Sequence, residues 1–122
     1  MSMAWTVRLA AQAELDFVEI LAWTVENFGE IQAEIYAETL TSAIEALHDG
    51  PLLAGAQARN DIESGIRTLH VARQGRRGRH FLVFRQIEDR CIDVLRLLHD
   101  GMDLARHIPI EPVQGASRSY GP

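Results

Sequence analysis

The chain has 122 residues, an apolar share of 47% and a formal net charge of −5, which suits one globular domain with a single core. All twelve basic residues are arginine, so the chain has no lysine for a Schiff base, for general-base catalysis or for a P-loop. One cysteine excludes an intrachain disulfide, and the absence of a signal-peptide pattern or a long apolar run predicts a cytoplasmic protein.

The charges are divided along the chain. Residues 1–50 hold nine acidic residues and one arginine, whereas residues 67–85 hold six arginines and no acidic residue. This asymmetry predicts an acidic or anionic partner for the second half, although solvated faces also give such splits by chance.

The first half predicts a strand and two helices. Trp5, Val7 and Leu9 alternate with polar residues, which indicates a short strand. A helix follows with an apolar stripe that ends at Gly29, a natural C-terminal cap; the stripe consists of Phe17, Leu21, Val25 and Phe28. A second helix runs to the breaker Asp49-Gly50-Pro51. So short a link predicts an antiparallel helical hairpin.

The second half predicts an antiparallel meander. Strand-like runs at 66–73, 80–86 and 91–98 are separated by turn signals at 74–78 and 88–89, after a loop at 51–64. Asp100 is a candidate N-cap for a short helix through His107. The fold class is therefore α+β, with a helical hairpin packed on a small antiparallel sheet. We expect one domain over residues 1–108 and a polar, flexible tail over 109–122.

Both faces of the predicted sheet are apolar. In the strand 80–86, Phe81 and Val83 point one way and Leu82 and Phe84 the other. Such a sheet must be covered on both sides, and the helical hairpin covers only one. We expect a partner or a second copy of the chain to complete the second face; in the alternative, the 51–64 loop and the tail cover it.

Arginines flank this second face in the period-two pattern. Their planar guanidinium groups bind phosphate or carboxylate in bidentate fashion, so the rim suits either RNA or an acidic protein. A bland alternative is that each arginine extends singly from a sheet edge. The predicted partner-binding residues are Arg67, Arg73, Phe81, Val83, Arg85, Ile92, Val94 and Arg96.

The histidines do not have the spacing of a metal site, and no cofactor motif is present, so we expect neither a metal nor a cofactor. His99 follows the last strand and precedes Asp100. A histidine beside a carboxylate suits a general acid or base; alternatively, His99 only satisfies a hydrogen bond at the start of the following helix.

These elements resemble the RelE/ParE superfamily of bacterial type II toxins. The resemblance lies in the helical hairpin, in the strands beginning Gly65-Ile66-Arg67 and ending Leu82-Val83-Phe84-Arg85, and in the last strand, Ile92 to His99. The ending from His99 to His107 is similar to the ParE branch, often called plasmid stabilisation proteins.

The resemblance implies a toxin that inhibits DNA gyrase by protein contact, stalling it in a complex with cleaved DNA, rather than acting as an enzyme. It also implies a ParD-like antitoxin that neutralises the toxin. It implies neither a membrane partner nor sequence-specific nucleic-acid binding. The alternative is a RelE-like, ribosome-dependent mRNA endonuclease, for which His99, Arg67, Arg85 and Arg96 are the candidate catalytic residues. The lack of lysine, and of a tyrosine soon after the last strand, departs from that pattern. A third reading is a degenerate member that only binds its partner.

Overall fold

A helical hairpin packs on one face of a five-stranded sheet in the computed structural model, which describes residues 4–101. In chain order the elements are β1 Thr6–Leu9, α1 Ala11–Phe28, α2 Glu30–Ala46, a 3-10 turn at Leu47–Asp49, β2 Gln57–Ala58, β3 Arg67–His70, β4 His80–Glu88 and β5 Cys91–His99. The α+β class and the hairpin are as predicted. Of the predicted short C-terminal helix, residues 102–107 lie outside the described residues, as does the tail.

Gly29 joins the two helices without a loop. Its φ of 93° lies in the left-handed region that glycine adopts without steric cost. Its N–H donates to the carbonyl of Val25 at 2.9 Å, which closes the last turn of α1. The sequence therefore located this break correctly.

The sheet is mixed rather than purely antiparallel. Its strand order is β1-β5-β4-β3-β2, and β3, β4 and β5 form the predicted meander. β1 pairs parallel to β5, with Thr6 opposite Cys91. The alternation within β1 predicts a strand but carries no information about which neighbour it joins.

The second sheet face is closed by the chain itself, contrary to the expectation of an open face. Val83 is fully buried there, in a small core with Ile66, Leu95 and Leu98 against which Ile62 and Phe81 pack. Two turns, Ile62 N–H to the Arg59 carbonyl at 3.0 Å and Ile66 N–H to the Glu63 carbonyl at 3.1 Å, fold the loop so that Ile62 reaches this face. The loop thus contributes to the cover, as the alternative proposed.

A β-bulge changes which residues share a face in β5. Val83 pairs with Arg96, but Phe84 pairs with Val94, so Leu95 is an extra residue. Ile92 and Val94 consequently lie under the helices, whereas Leu98 lies in the second core. The period-two assignment that put Ile92, Val94, Arg96 and Leu98 on one face was wrong, because the bulge resets the alternation and moves Leu98 to the other face.

The apolar stripe of α1 also differs from the prediction at its end. Phe17 and Leu21 pack against the core, but Val25 and Phe28 are exposed, and Asp16 is buried. Among residues 4–101 no helix combines the length and apolar character that crossing a membrane requires.

Candidate functional site: a groove between the hairpin and an arginine turn

A groove of about 1280 Å³ separates the helical hairpin from the turn at residues 75–79. Apolar side chains of α1 and α2 line one side, including Trp23, Phe28 and Ile35. Arginines of the turn line the other: Arg76, Arg77 and Arg79. The groove thus combines an apolar wall with a cationic rim, the combination that an amphipathic protein segment needs.

The apolar wall is more exposed than a soluble monomer needs. The rings of Trp23 and Phe28 meet edge to face with their centroids 5.7 Å apart, yet Trp23 is 55% and Phe28 64% exposed. Neighbouring aromatic side chains left in water indicate a binding surface.

The arginine turn is held rigidly against α2. A Cβ added to Gly78 would lie 2.6 Å from Cγ2 of Val71 and 2.9 Å from Oη of Tyr36, so only glycine permits this approach. The backbone N–H of Arg79 donates to Tyr36 Oη at 3.1 Å, and Arg76 Nη1 donates to Thr39 Oγ1 at 3.3 Å. The backbone of the turn is therefore held in a fixed position beside α2.

Arg77 is the cation that this turn leaves available. It is exposed, and no residue within 4–101 pairs with it. The guanidinium of Arg79, by contrast, donates to Asp100 at 3.2 Å. A carboxylate arriving in the groove would thus meet Arg77 without displacing an internal partner.

Tyr36 and two histidines lie at one end of the groove. Tyr36 Oη lies 2.7 Å from Nδ1 of His80, and the rings of His80 and His99 meet with centroids 5.4 Å apart. Burial, followed by the nearby His99, lowers the pKa of His80 from 6.5 to about 4. Burial also raises the pKa of Tyr36. His80 is therefore neutral at physiological pH.

Asp100 ties this end of the sheet together. Nδ1 of His70 accepts the N–H of Ala72 at 2.9 Å, so its proton sits on Nε2, which donates to Asp100 at 3.0 Å. This hydrogen bond, and that from Arg79, lower the pKa of Asp100. Nδ1 of His99 accepts the N–H of Gly101 at 3.0 Å and lies 3.7 Å from Oδ1 of Asp100; the helix whose start the plainer alternative invoked falls outside the described residues.

Arg96 forms the most buried ion pair that the structure describes. Its Nε lies 2.8 Å from Asp16 Oδ2, with the Asp16 side chain 7% exposed. The same carboxylate accepts the N–H of Leu97 at 3.0 Å and Gln12 Nε2 at 3.2 Å. Asp16 therefore anchors α1 to β5 and holds Arg96 in place, and both residues also line the groove.

The other arginines of the predicted rim do not converge either. Arg67 Nε donates to the carbonyl of Pro51 at 2.7 Å, Arg85 lies 3.5 Å from Glu63, and Arg73 is half-buried before the turn. The apolar members are internal: Val83, Ile92 and Val94 are fully buried, and Phe81 is half-buried with its ring centroid 6.4 Å from that of His70. As direct contacts for a partner, these three fully buried residues were the wrong choice, because the chain covers them.

Of the predicted site residues only Arg96 and His99 line the groove, and its other lining residues were missed. Trp23 and Ile35 were not considered, and Phe28 was assigned to the core. The sequence pattern predicts only a turn for the run Gly75-Arg76-Arg77-Gly78-Arg79. Two glycines around two exposed arginines were the available signal. No set of three or more His, Cys, Asp or Glu side chains within residues 4–101 is arranged to hold a metal ion.

Comparison with known proteins identifies first the fold and then the family. The fold is that of a chain from the chromosomal ParDE TA system of P. aeruginosa, with a TM-score of 0.61, 19% identity and coverage of 78% of this chain and 95% of that one. The sequence model of the family described as "ParE toxin of type II toxin-antitoxin system, parDE" matches residues 7–104.

Curated relatives agree with this match. Toxin ParE1 of Mycobacterium tuberculosis, in strains H37Rv and CDC 1551, is 34% identical over 108 residues, covering 88% of this chain and 100% of that protein. The chain belongs to the ParE toxin family of type II toxin–antitoxin systems, which confirms the resemblance seen in the sequence.

Proposed function

We propose that this protein is a cytoplasmic toxin that inhibits DNA gyrase by protein–protein contact, and that a ParD-like antitoxin binds its groove and neutralises it. Membership of the ParE family supports the general role. The observation that carries the proposal is the groove itself, with exposed aromatic rings on one wall and the available Arg77 on the other. These features suit a protein partner.

The geometry favours inhibition by contact over RNA cleavage. Cleavage requires a group that takes the 2′-hydroxyl proton, a group that protonates the leaving oxygen, and cations on the phosphate between them. Arg67 and Arg96 instead bind the Pro51 carbonyl and Asp16, and Arg85 pairs with Glu63. Of the three arginines that the nuclease hypothesis assigned to His99, only Arg96 lines the groove with it, and the guanidinium of Arg96 is already bound to Asp16.

The proposed antitoxin segment is an amphipathic helix with acidic residues along one side. Its apolar side would pack on Trp23 and Phe28, and a carboxylate would pair with Arg77. Arg73 and Arg85 remain proposed outer contacts, together with the exposed part of Phe81. Val83, Ile92 and Val94, which are fully buried, affect binding only by stabilising the fold.

A supercoiling assay tests the proposed target. Purified toxin added to gyrase and relaxed plasmid should block supercoiling, and His99→Ala should block it equally well, because contact inhibition needs no acid–base group. If gyrase is unaffected while ribosome-bound mRNA is cut, and His99→Ala abolishes the cutting, the endonuclease alternative is correct. If expression of the toxin alone harms no cell, the chain is a degenerate member that only binds its partner.

Calorimetric titration with the antitoxin tests the groove. Trp23→Ala should weaken binding by about 2 kcal/mol, roughly 30-fold, as expected of an aromatic anchor at an interface. Its control is Leu52→Ala, since Leu52 is 80% exposed but lies outside the groove. Arg77→Ala should also weaken binding, whereas Arg59→Ala should not, because Arg59 pairs with Asp61 away from the groove. Equal effects within each pair would contradict the proposed site.

A further inference from the structure

A second apolar row runs along α1, outside the groove. It consists of Leu15, Val18, Ala22 and Val25, spaced by three, four and three residues, which is the a/d spacing of a helix that packs against another helix. Leu15 is 54%, Val18 64% and Val25 40% exposed, and none of the four lines the groove. We call this row the outer seam.

With the outer seam, α1 carries apolar side chains toward three different surroundings. Ala13 and Phe17 face the core, Trp23 and Phe28 face the groove, and the seam faces water. Large side chains exposed in a continuous row indicate an interface.

The charges around the seam have one sign. Glu19 and Glu26 occupy the e positions and Glu14 a g position, all three exposed. None of these three forms an ion pair with another residue in the part of the chain that the structure describes, and α1 contains no basic residue. The seam is therefore flanked by free carboxylates, the opposite sign to the groove.

This charge pattern selects the occupant. A second copy of α1 would place Glu against Glu at the flanking positions, which is unfavourable. An acidic segment of the kind that suits Arg77 would meet the same repulsion. A helix with apolar a and d residues and lysine or arginine at e and g is complementary in both respects.

We infer that the outer seam of α1 docks a basic amphipathic helix on the target of this toxin. The target part of this inference rests on the proposed function; the chemistry of the surface does not. α1 then carries two interfaces of opposite sign, the groove for an acidic antitoxin segment and the seam for a basic target helix. Glu19 lies at their border, since it lines the groove as well as flanking the seam.

Two synthetic peptides test the chemistry of the seam without assuming a target. Both form a helix with leucine at a and d; one has lysine and the other glutamate at e and g. The full chain should bind the lysine peptide, and the double variant Leu15→Ala with Val18→Ala should bind it about tenfold less tightly. This variant keeps every charge, so a loss cannot come from non-specific attraction. Leu52→Ala is the matched control and should bind unchanged.

A second arm asks whether the seam faces the target. The double variant should lose about tenfold in potency against gyrase supercoiling while retaining wild-type affinity for the antitoxin. If the wild-type chain does not inhibit gyrase, the proposed function fails, and the peptide arm alone decides the inference.

Several results would overturn the inference. Equal binding of the two peptides, or no loss in the double variant, would show that the seam is not a basic-helix site. Loss of antitoxin affinity in the double variant would assign the seam to the antitoxin. A wild-type dimer that dissociates on the double substitution in sedimentation would assign it to a second copy. Unchanged potency against gyrase in the double variant would show that the target does not bind the seam.

Discussion

Asp16 provides the sharpest test of how α1 is held on the sheet. Its carboxylate, 7% exposed, binds Arg96 through two nitrogens and accepts the backbone N–H of Leu97. Asp16→Ala removes one partner of a buried ion pair, which typically lowers stability by about 3–5 kcal/mol. Asp16→Asn keeps a carbonyl oxygen for the Leu97 N–H, so a loss of about 1–2 kcal/mol is expected.

Urea unfolding followed by far-UV circular dichroism measures both losses as shifts of the midpoint at constant slope. The control is Asp61→Asn, which alters an exposed pair with Arg59 and should leave the midpoint unchanged. Adding Arg96→Met to Asp16→Ala should recover part of the loss, because the charge left behind is then removed as well. If Asp16→Ala is as mild as Asp61→Asn, the carboxylate does not anchor α1 and the reasoning is refuted.

Three further predictions concern the histidines, the arginine turn and the buried second face. The pKa of His80 is lowered from 6.5 to about 4. Between these two pH values the unfolded chain binds a proton at His80 that the folded chain does not. The stability that neutral His80 contributes is therefore complete above the upper value and falls as the pH drops toward the lower one. Urea midpoints at about pH 7 and about pH 5 should differ less in His80→Gln than in the wild type; an unchanged difference would contradict the role of His80. Gly78→Ala places a Cβ 2.6 Å from Val71, so it should lower the free energy of unfolding by about 1–3 kcal/mol and weaken antitoxin binding. The control is Gly101→Ala, whose Cβ would lie 3.3 Å from His99 Nδ1 and which should change neither quantity. Ile92→Asp buries a carboxylate under the helices, so it should unfold the chain rather than only weaken partner binding. A native circular dichroism spectrum of this variant would contradict the burial of Ile92.

The fold was predictable because its signals are local. Gly29 ends one helix and begins the next, and the turn at residues 74–78 joins two strands that pair as expected. Each of these depends on residues close in sequence. The parallel pairing of β1 with β5 joins residues more than eighty positions apart, and no local pattern encodes it.

The candidate site was less predictable because one bulge changed the faces. The extra residue at Leu95 moved Leu98 away from Ile92 and Val94, so strict alternation gave the wrong rim. The sequence also could not show that Ile62 would fold back over the second face. A loop without periodicity gives no indication of where its apolar side chains pack.

The groove illustrates a different limit. An apolar residue on a helix is assigned to the core by default, and Phe28 was assigned in this way although it is 64% exposed. The sequence showed more apolar positions on α1 than one core contact requires. Only the placement of α2 and the arginine turn revealed which of them line the groove.

The most direct measurement is a plasmid cleavage assay, which detects the cleaved DNA that accumulates on gyrase in the presence of the purified toxin. Gyrase, plasmid and toxin are incubated, and the products are resolved after the enzyme is denatured and digested. The account predicts that linear plasmid accumulates with the wild-type toxin and that stoichiometric antitoxin abolishes it. Intact plasmid in the presence of a toxin preparation that cleaves ribosome-bound mRNA would contradict it.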